Sequence, residues 1–410
     1  MIMNAPKIVD AYDAMKRYTQ DPVRYYDKAN RRRAVQAVAR HLFQTFGVHR
    51  IATKEEVRQS FDNSKSSGFH LDTLYKNCGE YYDNQEEHCE NMFHYGIREG
   101  KQRTFIQVTL KKELRERAKA LAGRNRTIAN VDKTLIWTQK RLHYRLMEAI
   151  RLKPIKGKIA IGFSPFYGGM NKLAAYLAKP GSRTTNKVAG GWEFDVSKMD
   201  ASIDWEMHED VTQVLIDLMH PDDKIQENIE TLRRSRRMLY MSPIVMPDGM
   251  CYLKGANGSG GNPSGQYLTT FDNCVESLIR TFECWMELTG KDWGEFEKNV
   301  SVIIYGDDVT YTVSEEYKEV FSGYNYALWM KRKHGITVET PCEEWRPFYE
   351  LHFLAMGMRF DEEEKGWVHT LDMERVKSSL LQGGLGERNT ITDLERLCGI
   401  RNATWGDPEQ

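Results

Sequence analysis

The stretch that most constrains this chain is Ser301 to Val313, SVIIYGDDVTYTV. Val302 to Tyr305 is apolar and strand-prone, and Val309 to Val313 repeats that character. Gly306-Asp307-Asp308 stands between them, so the local expectation is a hairpin with two carboxylates at its tip. Gly306 permits the tight turn. Adjacent acids repel one another and gain nothing from packing. A useful arrangement needs a multivalent cation between them and a further acid from elsewhere in the chain. Gly and Asp are also ordinary turn residues, so the metal reading depends on finding that third carboxylate.

The segment Gly190 to Ile203, GGWEFDVSKMDASI, supplies a candidate. Trp192, Glu193 and Phe194 alternate as in a strand, Asp195 falls at its end, and Asp200 lies where the chain turns into a helix. Ser202 or Asp204 can cap that helix, with Met207, Val211, Val214, Leu215 and Leu218 on its buried stripe. A carboxylate ending a central strand is costly unless paired or bound to metal, which makes Asp195 the expected partner of Asp307 and Asp308. Further on, GSGGNPSGQYLTTFDN is a Gly- and Pro-rich loop running into a long helix that reaches about Leu288 (Leu268, Phe271, Val275, Leu278, Phe282). Thr269 and Asn273 share one face of its start, with Ser264 just ahead. These small polar groups could read a sugar hydroxyl or simply cap the helix.

Charge totals are balanced, 58 basic against 58 acidic residues, so affinity for a polyanion must come from local clusters. The densest runs from Lys101 to Arg126, where nine bases (Lys101, Arg103, Lys111, Lys112, Arg115, Arg117, Lys119, Arg124, Arg126) face only Glu113 and Glu116. A strand is expected over Thr104 to Leu110, and Arg124 and Arg126 would project to one side of an extended segment. Such a ribbon suits a triphosphate or a nucleic-acid backbone, or is a plain solvated face. The opening is basic and aromatic (Lys16, Arg17, Arg24, Tyr25, Tyr26, Lys28), followed by a helix that Asn30 can cap and Gly47 can end. Arg31-Arg32-Arg33 reads as a solvated face or a nucleic-acid lining. Arg233, Arg234, Arg236 and Arg237 read as surface charge or a second such strip. Asn63 to Phe69, NSKSSGF, is a polar loop able to hold a phosphate backbone.

The length of 410 residues suggests two or three domains, or one with large subdomains. Seven cysteines, odd in number and without CxxC pairs, fit a reducing compartment. Cys78, His88, Cys89 and His94 match no paired zinc-ligand spacing. Neither a signal peptide nor an apolar run of membrane-spanning length is present, so a soluble cytosolic protein is expected.

Taken in order, these motifs resemble the palm of positive-strand RNA virus RNA-dependent RNA polymerases, in particular the picornavirus- and astrovirus-like supergroup. Asp195-x4-Asp200-Ala-Ser is similar to that family's motif A. Ser264-Gly265, Thr269 and Asn273 match its motif B, and Tyr305-Gly306-Asp307-Asp308 its motif C. Lys111 to Ile128 is similar to motif F, with Arg115, Lys119, Arg124 and Arg126 at its phosphate-binding positions. Ser66-Ser67-Gly68-Phe69 resembles motif G beside the template, and His352-Phe353-Leu354 resembles the primer-supporting motif E. One departure follows Gly335-Ile336-Thr337. Where motif D usually presents a lysine, this chain has Glu343-Glu344-Trp345-Arg346, leaving Arg346, Lys333 or water as the general acid.

The resemblance implies an α+β right-hand fold. Fingers would span 1–189 and 221–261, palm 190–220 and 262–360, and a short or incomplete thumb 361–410. The palm would be an antiparallel sheet with helices on one face. It implies RNA-directed RNA polymerase activity, replicating a viral RNA genome in the host cytoplasm with release of pyrophosphate. Two Mg2+ ions, or Mn2+ in their place, would stand about 4 Å apart. Asp195 and Asp307 would bridge them, with Asp308 auxiliary. Arg115, Lys119, Arg124 and Arg126 would hold the triphosphate, and Asp200, Ser264, Thr269 and Asn273 would recognise the ribose 2'-hydroxyl. Ser66, Ser67, Gly68, Phe353 and Leu354 would contact template and primer. The implied partners are template and nascent RNA, NTPs and other viral replication proteins, with a protein primer left open. Reverse transcriptase, a non-catalytic RNA-binding palm and a nucleotide cyclase are the alternatives; the first resembles this chain less because its sugar gate carries a bulky aromatic where Asp200 stands.

Overall fold

Ser301 to Val313 folds as a hairpin. Val300–Tyr305 pairs antiparallel with Asp308–Val313, Tyr305 faces Asp308, and Gly306 takes φ 65° in the two-residue turn that it forms with Asp307. Asp308 is therefore the first residue of the second strand. The computed structural model describes residues 2–16, 27–68, 71–101, 104–115, 117–121, 125–182, 188–197, 199–253, 261–339, 344–382, 394, 397–401 and 404. Arg17, Arg24, Tyr25, Tyr26, Phe69, Arg103, Glu116, Arg124 and Glu343 lie outside the described residues, as does the Arg115 side chain.

The hairpin supplies two strands of a five-stranded antiparallel sheet. Asp308–Val313 also pairs with Gly190–Val196, whose other edge takes Val338–Glu339 and Arg346–Pro347. One face presents Trp192, Phe194, Val302, Ile304, Val309 and Tyr311 to the main core, beneath the helices Trp205–Asp217, Thr269–Thr289 and Gly323–His334. The expectation of helices on one face only is corrected by the alternate positions. Ser301, Ile303, Thr310 and Thr312 are at most 2 % exposed, so the second face needs cover too. The helix Gly169–Ser182 provides it, packing Leu173, Ala174 and Leu177 with Ile303, while the Thr312 hydroxyl donates to the Leu177 carbonyl at 2.6 Å.

Thr269–Thr289, hereafter the long helix, is buried on every side from Phe271 through Trp285 and ends at Gly290, φ 69°. At about 1.5–3 kcal/mol per fully buried large apolar side chain, it anchors the molecule. Lys28–Phe46 packs against it. Its cap is Asp27, whose carboxylate accepts from the Ala29 and Asn30 amides, so Asn30 lies inside the first turn; Gly47, φ 77°, ends it. Both readings of Arg31 are corrected. It shares the face of Ala34, Val35 and Val38, is 5 % exposed, and pairs with Asp210 at 2.8 Å and Glu283 at 3.3 Å. Arg236 on the helix Gln226–Met241 is likewise buried, at 3.1 Å from Asp272, whereas Arg32, Arg33, Arg233, Arg234 and Arg237 are exposed.

A second sheet orders Thr127–Asn130, Ile106–Leu110, Ile244–Val245 and Cys251–Tyr252, so the 221–261 segment joins the basic region in one unit. Ile2–Met3 pairs with Leu114–Arg115 beside it. Cys78 and Cys89 are buried with Tyr81, Tyr82 and Trp137 in a satellite core. Among the described residues no helix is long and apolar enough to cross a membrane.

Candidate active site

Asp195 stands directly opposite Asp308 in the antiparallel register. Cross-strand neighbours of this kind have Cβ atoms about 4.5–5.5 Å apart. Asp307 follows in the turn, and its carbonyl accepts from the Val196 amide at 3.1 Å, tying the turn to the strand end that carries Asp195. On the opposite edge Glu339 is in register with Asp195. Three carboxylates, one from residue 195 and an adjacent pair more than a hundred residues on, thus share one end of the sheet, with a fourth beside them.

Their electrostatics follow from that crowding. Burial raises the Asp195 carboxyl above its usual range, Asp307 and Glu339 raise it further, and Arg126 and Lys119 oppose. Asp308 is pushed up to about 7, first by burial and then by Asp307 and Asp195. Hard divalent cations take carboxylate oxygens, and a cation here would relieve this mutual repulsion, so the donor set fits such an ion. Among the described residues no three His, Cys, Asp or Glu side chains are already gathered into a cage. The acids form an open rim, with Asp307 exposed and Asp195 partly covered by its neighbours.

The long helix positions both acid-bearing turns. Cys274 Sγ accepts from the Gly306 amide at 3.2 Å, and the Ser277 hydroxyl donates to the Gly306 carbonyl at 3.3 Å. Burial pushes the Cys274 thiol up to about 12, so it remains a neutral packing group. One residue before it, Asn273 Nδ2 donates to Asp200 Oδ1 at 3.1 Å while its Oδ1 accepts from Asn262 Nδ2 at 2.7 Å. The Asn262 amide closes on the Asp200 carbonyl at 2.5 Å. Asp200 and Asn273 therefore meet. Ser264 and Thr269 are engaged differently. Ser264 Oγ accepts from the Ala129 amide at 3.0 Å, and the Thr269 hydroxyl donates to the Pro263 carbonyl at 2.8 Å. Both brace the loop. Gly265 donates to the Ala129 carbonyl at 3.0 Å, where a Cβ would collide with that oxygen, so the loop lies flat on the basic sheet. Sequence reasoning missed Cys274, Ser277 and Asn262; the available signal was their helical or loop spacing from Asn273.

Lys119 and Arg126 are exposed and act electrostatically on Asp195, while Glu113 pairs with Lys111 at 2.8 Å and with Arg126 at 3.8 Å. A cleft of about 400 Å³ lies beside the sheet, lined by Ser66, Gly68, Asp72, Gln107, Asn130, Lys133 and Gly265 among others. Ser67 also borders it, but the expectation of a template-facing hydroxyl is corrected. Ser67 is fully buried and donates to the Tyr75 carbonyl at 2.8 Å.

The expectation that the Phe353 side chain meets the primer is corrected, because it is 3 % exposed in the second core; Leu354 and Ala355 form the turn between it and Met356. Glu193 holds this region from below, through Arg346 at 2.8 Å and the His352 amide. The hydrogen bond to Glu193 raises the His352 imidazole above its ordinary value. Lys333 is ion-paired to Glu287, 14 residues along the long helix from Asn273, or about 21 Å at 1.5 Å per residue. Neither Arg346 nor Lys333 is thus presented freely to the carboxylate rim.

Residues 7–381 match the family described as "Viral RNA-dependent RNA polymerase". The chain is 25 % identical to the replication polyprotein of Nora virus over 269 residues, 63 % of this chain. It is 25 % identical to the genome polyprotein of Peanut mottle virus (strain M) over 384 residues, 89 % of the chain, and 28 % identical to the non-structural polyprotein 1AB of Turkey astrovirus 2 over 201 residues, 44 % of the chain. These matches span 11 to 12 % of the polyproteins' own lengths. Among solved structures, "Sicinivirus 3Dpol RNA dependent RNA polymerase" superposes with a TM-score of 0.72 at 16 % identity, covering 96 % of this chain and 84 % of that one. That likeness gives the fold.

Proposed function

Because the chain belongs to the viral RNA-dependent RNA polymerase family, we propose that it extends RNA on an RNA template, joining NTPs with release of pyrophosphate to replicate a viral genome in the host cytoplasm. The observation that carries this is the register of Asp195 on Asp308 with Asp307 in the adjoining turn. Asp195, Asp307 and Asp308 would hold two divalent magnesium or manganese ions, which when bound supply Lewis-acid activation of the 3'-hydroxyl and charge neutralisation at the phosphates.

The remaining roles belong to side chains of this protein. Lys119 and Arg126, with Arg115 and Arg124, draw in the triphosphate. Asn273 holds the half-buried Asp200 carboxylate so that it accepts from a ribose 2'-hydroxyl, a hydrogen bond that a deoxyribose cannot make. Ser264 and Thr269 act one step back, by fixing the loop. The cleft at Ser66 and Gly68 receives the template, and the turn at Leu354 supports the primer. The ion pairs of Arg346 and Lys333 favour water as the proton source for pyrophosphate. Fingers over 1–189 and 221–261, palm over 190–220 and 262–360 and thumb from 361 suit this division of labour. The polyprotein context of the relatives supports association with other viral replication proteins.

Incorporation of labelled NTP on a homopolymer template, with and without primer, tests the reading. Asp195→Ala and Asp307→Ala should each abolish extension while RNA is still retained on a filter. Extension persisting at about a tenth of wild type, a loss far smaller than removal of a metal-holding carboxylate should cause, would count against the assignment.

A further inference from the structure

Behind the Asp200–Asn273 pair lies a buried group of charges that has no role in the reading above. Asn273, Glu276 and Arg280 fall at spacings of three and four along the long helix, so they form one stripe. Arg280 is 2 % exposed and Glu276 fully buried, and the two are ion-paired. Next on that helix, Glu283 pairs with Arg31. A buried pair of this kind that served packing alone can often be replaced by apolar side chains with little effect on stability. Arg280 does more than face Glu276. Its Nη2 donates to the Ser202 carbonyl at 3.1 Å and its Nη1 to the Ser202 hydroxyl at 3.3 Å.

Ser202 ends the single helical turn Met199–Ser202, in which Asp200 is the second residue, and its hydroxyl donates back to the Met199 carbonyl at 2.9 Å. One stripe of the long helix therefore holds both ends of that turn, Asn273 at Asp200 and Arg280 at Ser202. Backbone bonds from residues 261–262 add to this hold, Asn262 to the Asp200 carbonyl and Gly261 to the carbonyl of Ile203 just past the turn at 3.2 Å. A single helical turn of four residues takes its orientation from outside grips such as these.

We propose that Arg280 is a positioning residue for sugar selection. By holding Ser202 it sets the pitch of the Met199–Ser202 turn and hence the place of the Asp200 carboxylate relative to the incoming ribose. This rests on the polymerase reading of Asp200 and Asn273. A guanidinium is needed because one planar fork reaches a carbonyl, a hydroxyl and a carboxylate at once, which a lysine ammonium on a shorter reach does not reproduce.

The test is primer extension by the full chain, comparing kcat and KM for GTP and dGTP opposite a template cytosine. The variants are Arg280→Lys, the double variant Arg280→Met with Glu276→Gln, and Ser202→Ala. The double variant leaves no unpaired buried carboxylate, and Ser202→Ala removes a single hydroxyl, so a failure of Arg280→Lys to fold does not end the test. The expected result is a fall of about tenfold in the GTP-over-dGTP ratio of kcat/KM for the Arg280 variants and about threefold for Ser202→Ala. That fall should come from a raised KM for GTP, with kcat for GTP changed less than about threefold. Adding Asn273→Ala to Arg280→Lys should lower the ratio by less than the product of the single effects, because both act through Asp200. A wild-type ratio in variants that melt cooperatively overturns the proposal, as does a loss shared equally by both nucleotides in kcat. A wild-type chain that extends RNA without preferring GTP overturns instead the assignment of Asp200 and Asn273.

Discussion

Leu354 and Ala355 adopt φ of 55° and 59°, the left-handed region that costs a side-chain-bearing residue roughly 1–2 kcal/mol. Two-residue hairpin turns of this hand favour Asn-Gly, yet this chain holds Leu-Ala in place because the flanking bonds over-determine it. Phe353 is buried, Phe353 and Met356 exchange backbone hydrogen bonds, and Glu193 pins the amide of His352. Ala355→Gly should therefore raise the melting temperature, by the equivalent of about 0.5–1 kcal/mol once glycine's greater unfolded-state freedom is deducted. An unchanged or lowered melting temperature would show that the turn carries no strain worth relieving. The same residue-scale logic separates Arg31 from its neighbours Arg32 and Arg33. Three identical letters have different fates because only one points at Asp210 and Glu283.

At the level of elements, the long helix is the part that indexes everything else, and its buried acids make its stability depend on pH. Burial pushes Glu276 up to about 8 against the pull of Arg280. Between the unfolded value, about 4.5, and the folded one, the native state binds this proton more tightly than the unfolded chain. The resulting stabilisation is complete below about pH 4.5 and is lost as pH rises through about 8. Wild type should thus lose stability relative to Glu276→Gln on going from pH 5 to pH 8, by at most about 1.4 kcal/mol per pH unit. Urea denaturation midpoints at the two pH values measure it, and parallel shifts in both proteins would sink the idea.

For the molecule as a whole, 58 bases balance 58 acids, so long-range attraction for polyphosphates has to come from where the charges are placed. The fold brings Lys119, on the short helix Arg117–Leu121, and Arg126, just before the strand Thr127–Asn130, within electrostatic reach of Asp195, while Arg31 and Arg236 are consumed in the core. Reversing both exposed cations, Lys119→Glu with Arg126→Glu, should raise KM for all four NTPs about alike, by tenfold or more, and flatten its dependence on salt between roughly 50 and 200 mM. Steady-state extension at a series of NaCl concentrations reads both. A KM that keeps its wild-type salt response would place the triphosphate elsewhere.

Local pattern determined a good deal here without any tertiary information. The Ser301–Val313 hairpin, the strand ending near Asp195, the stripe from Met207 to Leu218 and the long helix from Thr269 each follow from periodicity and turn chemistry within some twenty residues, where backbone preferences act directly. Pairing and burial were decided only by the packed chain. Which carboxylate stands opposite Asp195, with Asp308 on one side and Glu339 on the other, is a matter of strand register between segments far apart in sequence. Whether an arginine is solvated or buried depends on a counter-charge supplied from another helix, as Asp272 is to Arg236. The second cover of the sheet, the inward turn of Ser67 and the grip of Cys274 on Gly306 have the same origin. Each is a contact between distant residues, whose free energy exists only once the intervening chain has been folded around them.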